Sequence, residues 1–239
     1  MMRTDNRGSG DLRPVEIITD WLATAEGSAL IKVGNTHVLC AATVEDTVPP
    51  FLRNAGKGWV TAEYSMLPRA TSRRTPREVT KGRPSGRTHE IQRLIGRSMR
   101  AVVDTAALGE RTVIIDCDVL QADGGTRTAS ITGAFVALSL AIGKLRQYGA
   151  IKTNPLRDYV AATSVGIVGG AAMLDLCYEE DSQADVDMNV VMTGGAKFVE
   201  VQATGEHIAF DDGQMAAMIA LARTGIAHLV EMQKQVTRL

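Results

Sequence analysis

Residues 113–145 read VIIDCDVLQADGGTRTASITGAFVALSLAIGKL and indicate the fold class. The first eight residues are rich in β-branched and apolar side chains, which predicts a strand over residues 113–120. Residues 128–145 carry apolar side chains at spacings of three and four, which predicts a helix with one apolar face. The chain therefore passes from a strand, through a glycine turn, directly into a helix.

The turn between these two elements, Asp-Gly-Gly-Thr-Arg at residues 123–127, has the features of an anion-binding site. Gly124 and Gly125 allow the backbone to turn tightly and to approach a ligand closely. The start of a helix offers unpaired N–H groups and the positive end of the helix dipole. Thr126 and the planar, permanently charged Arg127 lie at the same place, so the turn predicts a phosphate-type site. An ordinary strand-to-helix turn with a solvated arginine is the alternative interpretation.

The composition is that of a globular domain rather than a fibrous, disulfide-rich or membrane protein. The chain has 239 residues, 45% hydrophobic and 22% charged, enough for one large domain or two small ones. Its three cysteines, Cys40, Cys117 and Cys177, are far apart and lie in apolar runs, which favours reduced, buried thiols. No apolar run is expected to reach membrane-span length, and the N-terminus is polar. We therefore expect a cytoplasmic protein with no membrane partner.

The net charge of −1 hides a strongly basic segment at residues 69–100. This segment holds ten basic and two acidic side chains, a net charge of +8, which leaves −9 for the remainder. Nine of the ten bases are arginine, whose planar group suits bidentate phosphate contacts. The segment therefore predicts a polyanion-binding surface, with a solvated loop and helix face as the alternative. The ten are Arg69, Arg73, Arg74, Arg77, Lys81, Arg83, Arg87, Arg93, Arg97 and Arg100.

The remaining pattern predicts two strand-then-helix subdomains, residues 1–151 and 152–239, packed as one α+β unit. The polar arm before residue 15, with Arg3, Arg7 and Arg13, is interpreted as a charged tail. Asp211 precedes the last helix and is interpreted as its N-cap. Further strands are predicted at residues 15–19, 28–33, 36–43, 59–66, 159–168, 171–178, 186–193 and 197–204, an exposed loop at 68–86, and helices at 88–104 and after 211.

Residues 179–187 hold five carboxylates in nine positions. Asp185 and Asp187 share one face of the predicted strand, and Asp181 precedes them across a turn. Oxygen ligands of this kind suit Mg²⁺, which one or two carboxylates hold together with substrate phosphates. Crowding also raises the pKa of a carboxylate, which could then deliver a proton. A solvated acidic connection between strands is the alternative. The anion site, the basic segment and these carboxylates together fit phosphoryl chemistry on a polyanion.

Four blocks of the chain together resemble the ribonuclease PH family of bacterial phosphorolytic 3′-to-5′ exoribonucleases. They are RTDNR…LRP near the N-terminus, GRPSGRTHEIQRLIGRSMRA, DGGTRTASITGAFVAL and EEDSQADVDMNV. The resemblance covers essentially the whole chain. It implies the ribonuclease PH-like fold, and the trimming of tRNA precursors and other RNA 3′ ends by inorganic phosphate, with release of nucleoside diphosphates. It also implies a homohexameric ring, a trimer of dimers.

The resemblance also implies a set of site residues. Inorganic phosphate would be held by Arg87, Gly125, Thr126 and Arg127. Asp181 would be the general acid or a ligand, and Asp187 a ligand, of Mg²⁺ or Mn²⁺. Where the related polynucleotide phosphorylases have a lysine two residues after the second aspartate, this chain has Asn189. The loop and helix residues expected to grip the RNA backbone are Arg69, Arg73, Arg74, Arg77, Arg93 and Arg97.

Three other functions remain open at this point. A non-catalytic RNA-binding ring subunit would keep the basic segment and lose the phosphate arginines or the acids. A hydrolytic metal-dependent exonuclease would need the acids and not the phosphate site. A tRNA-binding or folding factor would keep its effect on RNA without the acids. Whether the products depend on phosphate distinguishes a phosphorolytic exoribonuclease from a hydrolytic nuclease.

Overall fold

The N-terminal strands form one five-stranded sheet in a computed structural model that describes residue 3 and residues 5–238. Of Val79 and Lys81 it describes only the backbone. The charged group of Lys81, one of the ten bases of the basic segment, is therefore not described. The strand order is β1-β2-β3-β5-β4, with every pair antiparallel except β4 and β5. The strands are β1 (Val15–Thr19), β2 (Gly27–Val33), β3 (Thr36–Glu45), β4 (Trp59–Met66) and β5 (Thr112–Gln121).

The C-terminal strands form a four-stranded antiparallel sheet in the order β7-β6-β8-β9. The strands are β6 (Val160–Val168), β7 (Ala171–Leu174), β8 (Val186–Thr193) and β9 (Phe198–Gly205). The helices are α1 (Gly86–Ala101), α2 (Thr105–Leu108), α3 (Thr126–Gln147), α4 (Tyr178–Asp181) and α5 (Asp212–Val236), with short 3-10 helices at Pro50–Leu52 and Glu78–Lys81.

Helix α3 lies between the two sheets and holds them together. It packs on β2 and β3 on one side and on β6 on the other. Small residues permit this close approach: a Cβ on Gly133 would lie 2.8 Å from the Sγ of Cys40. The prediction of one apolar face was therefore wrong, because α3 is buried on most sides. The α+β class with two strand-then-helix units is confirmed.

Helix α5 covers the second sheet on the face opposite to α3, through contacts with β6, β7 and β8. Every residue of β6 is buried, as expected for a strand covered on both faces. The carboxylate of Asp211 accepts a hydrogen bond from the N–H of Gln214, 2.8 Å away, and caps α5 as predicted.

Most predicted elements occur within a few residues of their expected bounds, and the exceptions lie near the functional groups. Both α1 and α3 begin two residues earlier than predicted, so Arg87, Thr126 and Arg127 belong to first turns. The strand predicted over 171–178 was wrong after Leu174. Asp175 there adopts φ +53°, which breaks the extended conformation, and the short helix α4 follows.

Two helices, α3 and α5, are long and apolar enough to cross a membrane by length and composition alone. This corrects the expectation that no apolar segment reaches membrane-span length. Ser, Thr and Gly interrupt the apolar runs of both helices, but the mean hydropathy of each helix stays high. In the fold, 78% of the most apolar stretch of α3 is buried, and 33% of that of α5. For α3, burial between the two sheets accounts for the apolar sequence.

Candidate phosphate and carboxylate site

The glycine turn after β5 leads into α3 in a conformation that only glycine adopts easily. Gly124 and Gly125 have φ of +74° and +64°, and Gly125 is the N-cap of α3. A Cβ on Gly124 would lie 2.6 Å from the carbonyl oxygen of Leu176, so the turn touches the segment leading into α4. The two subdomains therefore meet at the N-terminus of α3.

The two arginines assigned to phosphate lie in the first turns of two helices. Arg127 follows Thr126 at the start of α3, and Arg87 is the second residue of α1, behind the Ser85 N-cap. Both guanidinium groups lie close enough to Asp181 for their charges to oppose a rise in the pKa of that carboxyl. The site therefore combines two cations with two helix N-termini, an arrangement that favours an anion.

Arg127 is held in place by acceptors from other elements. Its Nη1 donates to a carboxylate oxygen of Glu90, 3.2 Å away, and to the side-chain oxygen of Gln202, 3.1 Å away. The amide of Gln202 also donates to Glu90 and to Glu200. Arg127 is only 15% exposed in its side chain, whereas Arg87 is exposed. Arg127 is therefore positioned by α1 and β9 from outside its own helix.

Asp181 ends α4 and Asp187 is the second residue of β8, and the structure brings the two carboxylates together. Burial, then the negative charge of Asp181, raise the pKa of Asp187 to about 6, against the opposing charge of Arg127. Loss of hydration also raises the pKa of Asp181, and Glu206 adds negative charge beside both. Asn189 donates to Asp187 over 3.3 Å.

The other carboxylates of residues 179–187 do not join this pair. Glu180 turns away and binds Arg3, and Glu179 is exposed. The described part of the chain holds no group of three or more His, Cys, Asp or Glu side chains able to bind a metal ion. Asp181 and Asp187 alone would have to share a divalent ion with substrate phosphates.

The N-terminal arm is a structural clamp, and its interpretation as a charged tail was wrong. Arg3 and Arg13 are 5% and 4% exposed. Arg3 donates twice to the Glu180 carboxylate at 2.7 Å, and these bonds outweigh burial, so the pKa of Glu180 is lowered. Arg3 also donates to the carbonyl oxygens of Leu174 and Asp175. The arm thereby fixes the segment that carries Asp181.

Arg13 joins the glycine turn to the same segment. Its guanidinium binds the carboxylate of Asp175 at 2.8 Å and also donates to the carbonyl oxygens of Asp123 and Gly124. Burial disfavours its charge, but the bond to Asp175 prevails and the pKa of Arg13 is raised. The Asp123 carboxylate in turn accepts from the N–H of Tyr178 at 3.2 Å. The buried guanidinium of Arg13 thus aligns the glycine turn with the segment that leads into α4.

The six arginines predicted to bind RNA are all exposed, in the loop around residues 69–77 and on α1. Arg69 donates to the carbonyl oxygen of Ser72, and Arg97 forms an ion pair of 2.7 Å with Glu200. Arg100 has a different place. It donates to the carbonyl oxygen of Val60 and stacks on the ring of Trp59, 4.3 Å from its centroid. Arg100 is thus tied to β4 and is not part of the free cationic surface.

Sequence reasoning missed several residues of the site because each acts over a long separation in the chain. Besides the arm arginines and Asp175, these are Glu206, Gln202 and Tyr64, whose hydroxyl lies 2.9 Å from the Oγ1 of Thr126. Only the arm carried a signal, since its arginines belong to one of the blocks that resemble a known family. Nothing in the local pattern distinguishes Gln202 or Tyr64 from ordinary strand residues, or Glu206 from an ordinary residue of a connection.

The profiles of the 3′ exoribonuclease family match in two parts, domain 1 over residues 11–142 and domain 2 over residues 158–225. Among curated proteins, ribonuclease PH of Solibacter usitatus is 80% identical over 235 residues, covering 98% of this chain and 99% of that protein. Ribonuclease PH of Bacillus subtilis is 61% identical over 236 residues, covering 98% and 96%.

Solved structures give the same fold. The Archaeoglobus fulgidus exosome with RNA bound to the active site superimposes with a TM-score of 0.82 at 25% identity, covering 96% of this chain and 92% of that one. Rice Rrp46 superimposes with a TM-score of 0.80 at 18% identity, over 99% and 100% of the two chains. The second likeness concerns the fold alone.

Proposed function

Because the chain belongs to the ribonuclease PH family of 3′ exoribonucleases, we propose that it removes 3′-terminal nucleotides from tRNA precursors by phosphorolysis. Inorganic phosphate attacks the phosphorus of the terminal phosphodiester, and the bond from that phosphorus to the 3′-oxygen of the preceding nucleotide breaks. The products are a nucleoside 5′-diphosphate and RNA that is one nucleotide shorter. The observation that carries this proposal is the meeting of Arg87 and Arg127 with Asp181 and Asp187 at the N-terminus of α3. Phosphorolysis requires a positively charged site that binds the attacking phosphate, next to carboxylates that can serve the leaving oxygen.

The phosphate side of the site would overcome the repulsion between two anions. Arg87, Arg127, the Thr126 hydroxyl and the N–H groups after Gly125 would neutralise the phosphate and place it against the scissile phosphodiester. Because α3 is buried between two sheets, its N-terminus is fixed before the phosphate arrives. The helix therefore needs little rearrangement to bind the nucleophile.

The carboxylate side would serve the leaving 3′-oxygen. A carboxyl whose pKa is about 6, as for Asp187, carries a proton for part of the time near neutral pH and can deliver it. Asp181 shares the site, and we assign proton delivery to the pair. Removing the charge of either carboxylate would change the pKa of the other, because the two negative charges repel each other.

Asp181 and Asp187 also fit Mg²⁺ or Mn²⁺, which two carboxylates hold together with substrate phosphates. Their mutual repulsion, which contributes to the raised pKa of Asp187, is what a divalent cation would relieve. When bound, the ion would screen the scissile phosphate and stabilise charge on the leaving oxygen. The carboxylates would then divide their roles between holding the ion and moving the proton.

The exposed arginines of the basic loop and α1 would grip the RNA backbone without reading its sequence. We further propose a homohexameric ring, a trimer of dimers, located in the cytoplasm. Membership of the ribonuclease PH family supports this assembly. The division into residues 1–151 and 152–239 is supported by the two separate sheets, although the arm of the first unit docks on the second.

The test is degradation of a tRNA with a 3′ extension in Mg²⁺, with and without inorganic phosphate, for the wild-type chain and Arg127→Ala. Nucleoside diphosphates that form only with phosphate, and are lost in the variant, support the proposal. Nucleoside monophosphates formed without phosphate would replace it with a hydrolytic nuclease. Tight, salt-sensitive RNA binding without degradation would replace it with a non-catalytic RNA-binding subunit.

A further inference from the structure

Tyr64 lies directly beneath the proposed phosphate site, on an element with no other part in it. It belongs to β4, is 6% exposed, and pairs with Cys117 of β5, the strand that leads into the glycine turn. Its hydroxyl oxygen lies 2.9 Å from the Oγ1 of Thr126, the first residue of α3, which is 7% exposed. Among the described residues, neither hydroxyl oxygen has another hydrogen-bond partner.

The direction of this hydrogen bond follows from counting protons and acceptors. Burial raises the pKa of Tyr64 against the bond with Thr126 and the charges of Arg87 and Arg127, so the phenol keeps its proton at neutral pH. If Thr126 donated, the phenol proton would be buried without an acceptor, which is unfavourable. With an anion at the start of α3, Tyr64 therefore donates and the Oγ1 of Thr126 accepts, because the Thr126 proton then has the anion as its acceptor.

Once its oxygen accepts from Tyr64, the hydroxyl of Thr126 must direct its own proton elsewhere. Thr126 stands at the positive end of α3 beside Arg127, so its proton is available to an anion there. We infer that Tyr64 is a positioning residue: it orients the Thr126 hydroxyl as a fixed donor to the attacking phosphate. This inference rests on the proposed function, because it assumes that phosphate binds at the start of α3.

The scaffold is suited to this role. The parallel pairing of β4 and β5 holds Tyr64 in register with the strand that ends at the turn. Helix α1, which carries Arg87, packs on β4, and the charges of both Arg87 and Arg127 reach the phenol. Tyr64 thus lies between the two helix starts that would hold the anion, where a fixed donor costs no rearrangement on binding.

The test compares Tyr64→Phe, Thr126→Val and the double variant, with Tyr159→Phe as the matched control for loss of a phenol oxygen elsewhere. A neutral hydrogen bond of ordinary strength predicts that Tyr64→Phe raises the KM for phosphate by about three- to tenfold. The KM for RNA should be unchanged, and kcat at saturating phosphate should fall by less than KM rises. Added to Thr126→Val, the same change should have no further effect, because it acts through that hydroxyl.

A second measurement does not need activity: the phosphate concentration that produces a given rise in Tm. Tyr64→Phe should need about three- to tenfold more phosphate for the same rise, and Tyr159→Phe the same amount as the wild type. Equal and additive losses in the Thr126→Val background, or a matching rise in the KM for RNA, would overturn the inference. If the wild type forms no phosphate-dependent products, the proposed function fails instead.

Discussion

Replacing Asp187 with asparagine should stabilise the folded chain at neutral pH while abolishing phosphorolysis. Asp187 is partly buried beside the negative charge of Asp181, and both effects raise its pKa from 3.8 to about 6. The folded chain therefore binds this proton more tightly than the unfolded chain does. Ionisation of Asp187 costs stability, and the cost should be absent below about pH 3.8, grow between there and about pH 6, and be complete above.

The size of the effect follows from the shift. A change from 3.8 to about 6 corresponds to about 3 kcal/mol at 1.36 kcal/mol per pKa unit. Burial of the neutral asparagine amide costs about 1 kcal/mol in its place, although Asn189 can still donate to its oxygen. The expected net gain for Asp187→Asn is therefore about 2 kcal/mol near pH 7.5, and it becomes a net loss of up to about 1 kcal/mol at about pH 4 and below, where only the cost of the amide remains.

The assay is urea unfolding between pH 4 and 8 with EDTA and without phosphate, at one protein concentration because the proposed assembly would contribute to stability. Asp181→Asn should also stabilise the chain, and the double variant should gain less than the sum, since either change removes the repulsion. Asp185→Asn is the matched control, because it removes a neighbouring charge outside the pair. A gain that does not vary with pH, or a loss of stability at pH 7.5, would refute the reasoning.

Three other perturbations address the clamp, the phosphate site and the RNA surface. Arg13→Ala should cost about 3 kcal/mol in the free energy of unfolding, because it removes the nearest guanidinium from the buried Asp175 carboxylate and leaves it the more distant Arg7, 3.5 Å away; a loss under about 1 kcal/mol in urea unfolding contradicts this. Glu90→Gln should lower the KM for phosphate about two- to threefold, since it removes an opposing charge and keeps an oxygen acceptor; a higher KM in initial-rate assays would show that the carboxylate itself is needed. Replacing Arg73, Arg74 and Arg77 together by alanine should reduce the slope of log K against log salt by about 2, measured by fluorescence anisotropy on single-stranded RNA; an unchanged slope would exclude three phosphate contacts.

Local pattern was enough to predict the sheet strands and long helices, because β-branched runs and apolar spacing reflect short-range geometry. The strands predicted at residues 28–33 and 36–43 are β2 and β3, and Val33 pairs with Thr36 across the two-residue turn between them. Helix α3 was predicted with the wrong environment. Its Ala, Gly, Ser and Thr positions look neutral in a sequence, yet they are what allows two sheets to close on one helix.

Long-range ion pairs could not be predicted from single-sequence patterns. Arg3 and Glu180 lie 177 residues apart, and Arg13 and Asp175 lie 162 apart. A polar arm and an acidic run each look solvated when read alone, since charges are usually exposed. Burial becomes possible only when each finds its partner, and that pairing is decided by the packing of the two sheets around α3. The ion pair with Arg3 also holds Glu180 apart from Asp181 and Asp187.

The arm explains how one site can be assembled from two halves of the chain. The residues proposed to bind phosphate belong to the turn before α3 and its first residues, whereas the proposed acids belong to α4 and β8. Catalysis needs these groups to be aligned to a fraction of an ångström, and a contact between two surface loops would not hold them so. Arg13 binds both segments while buried, and a buried guanidinium with fixed partners has few alternative arrangements. The charges that look most like a solvated tail therefore set the geometry between the proposed phosphate site and the proposed acids.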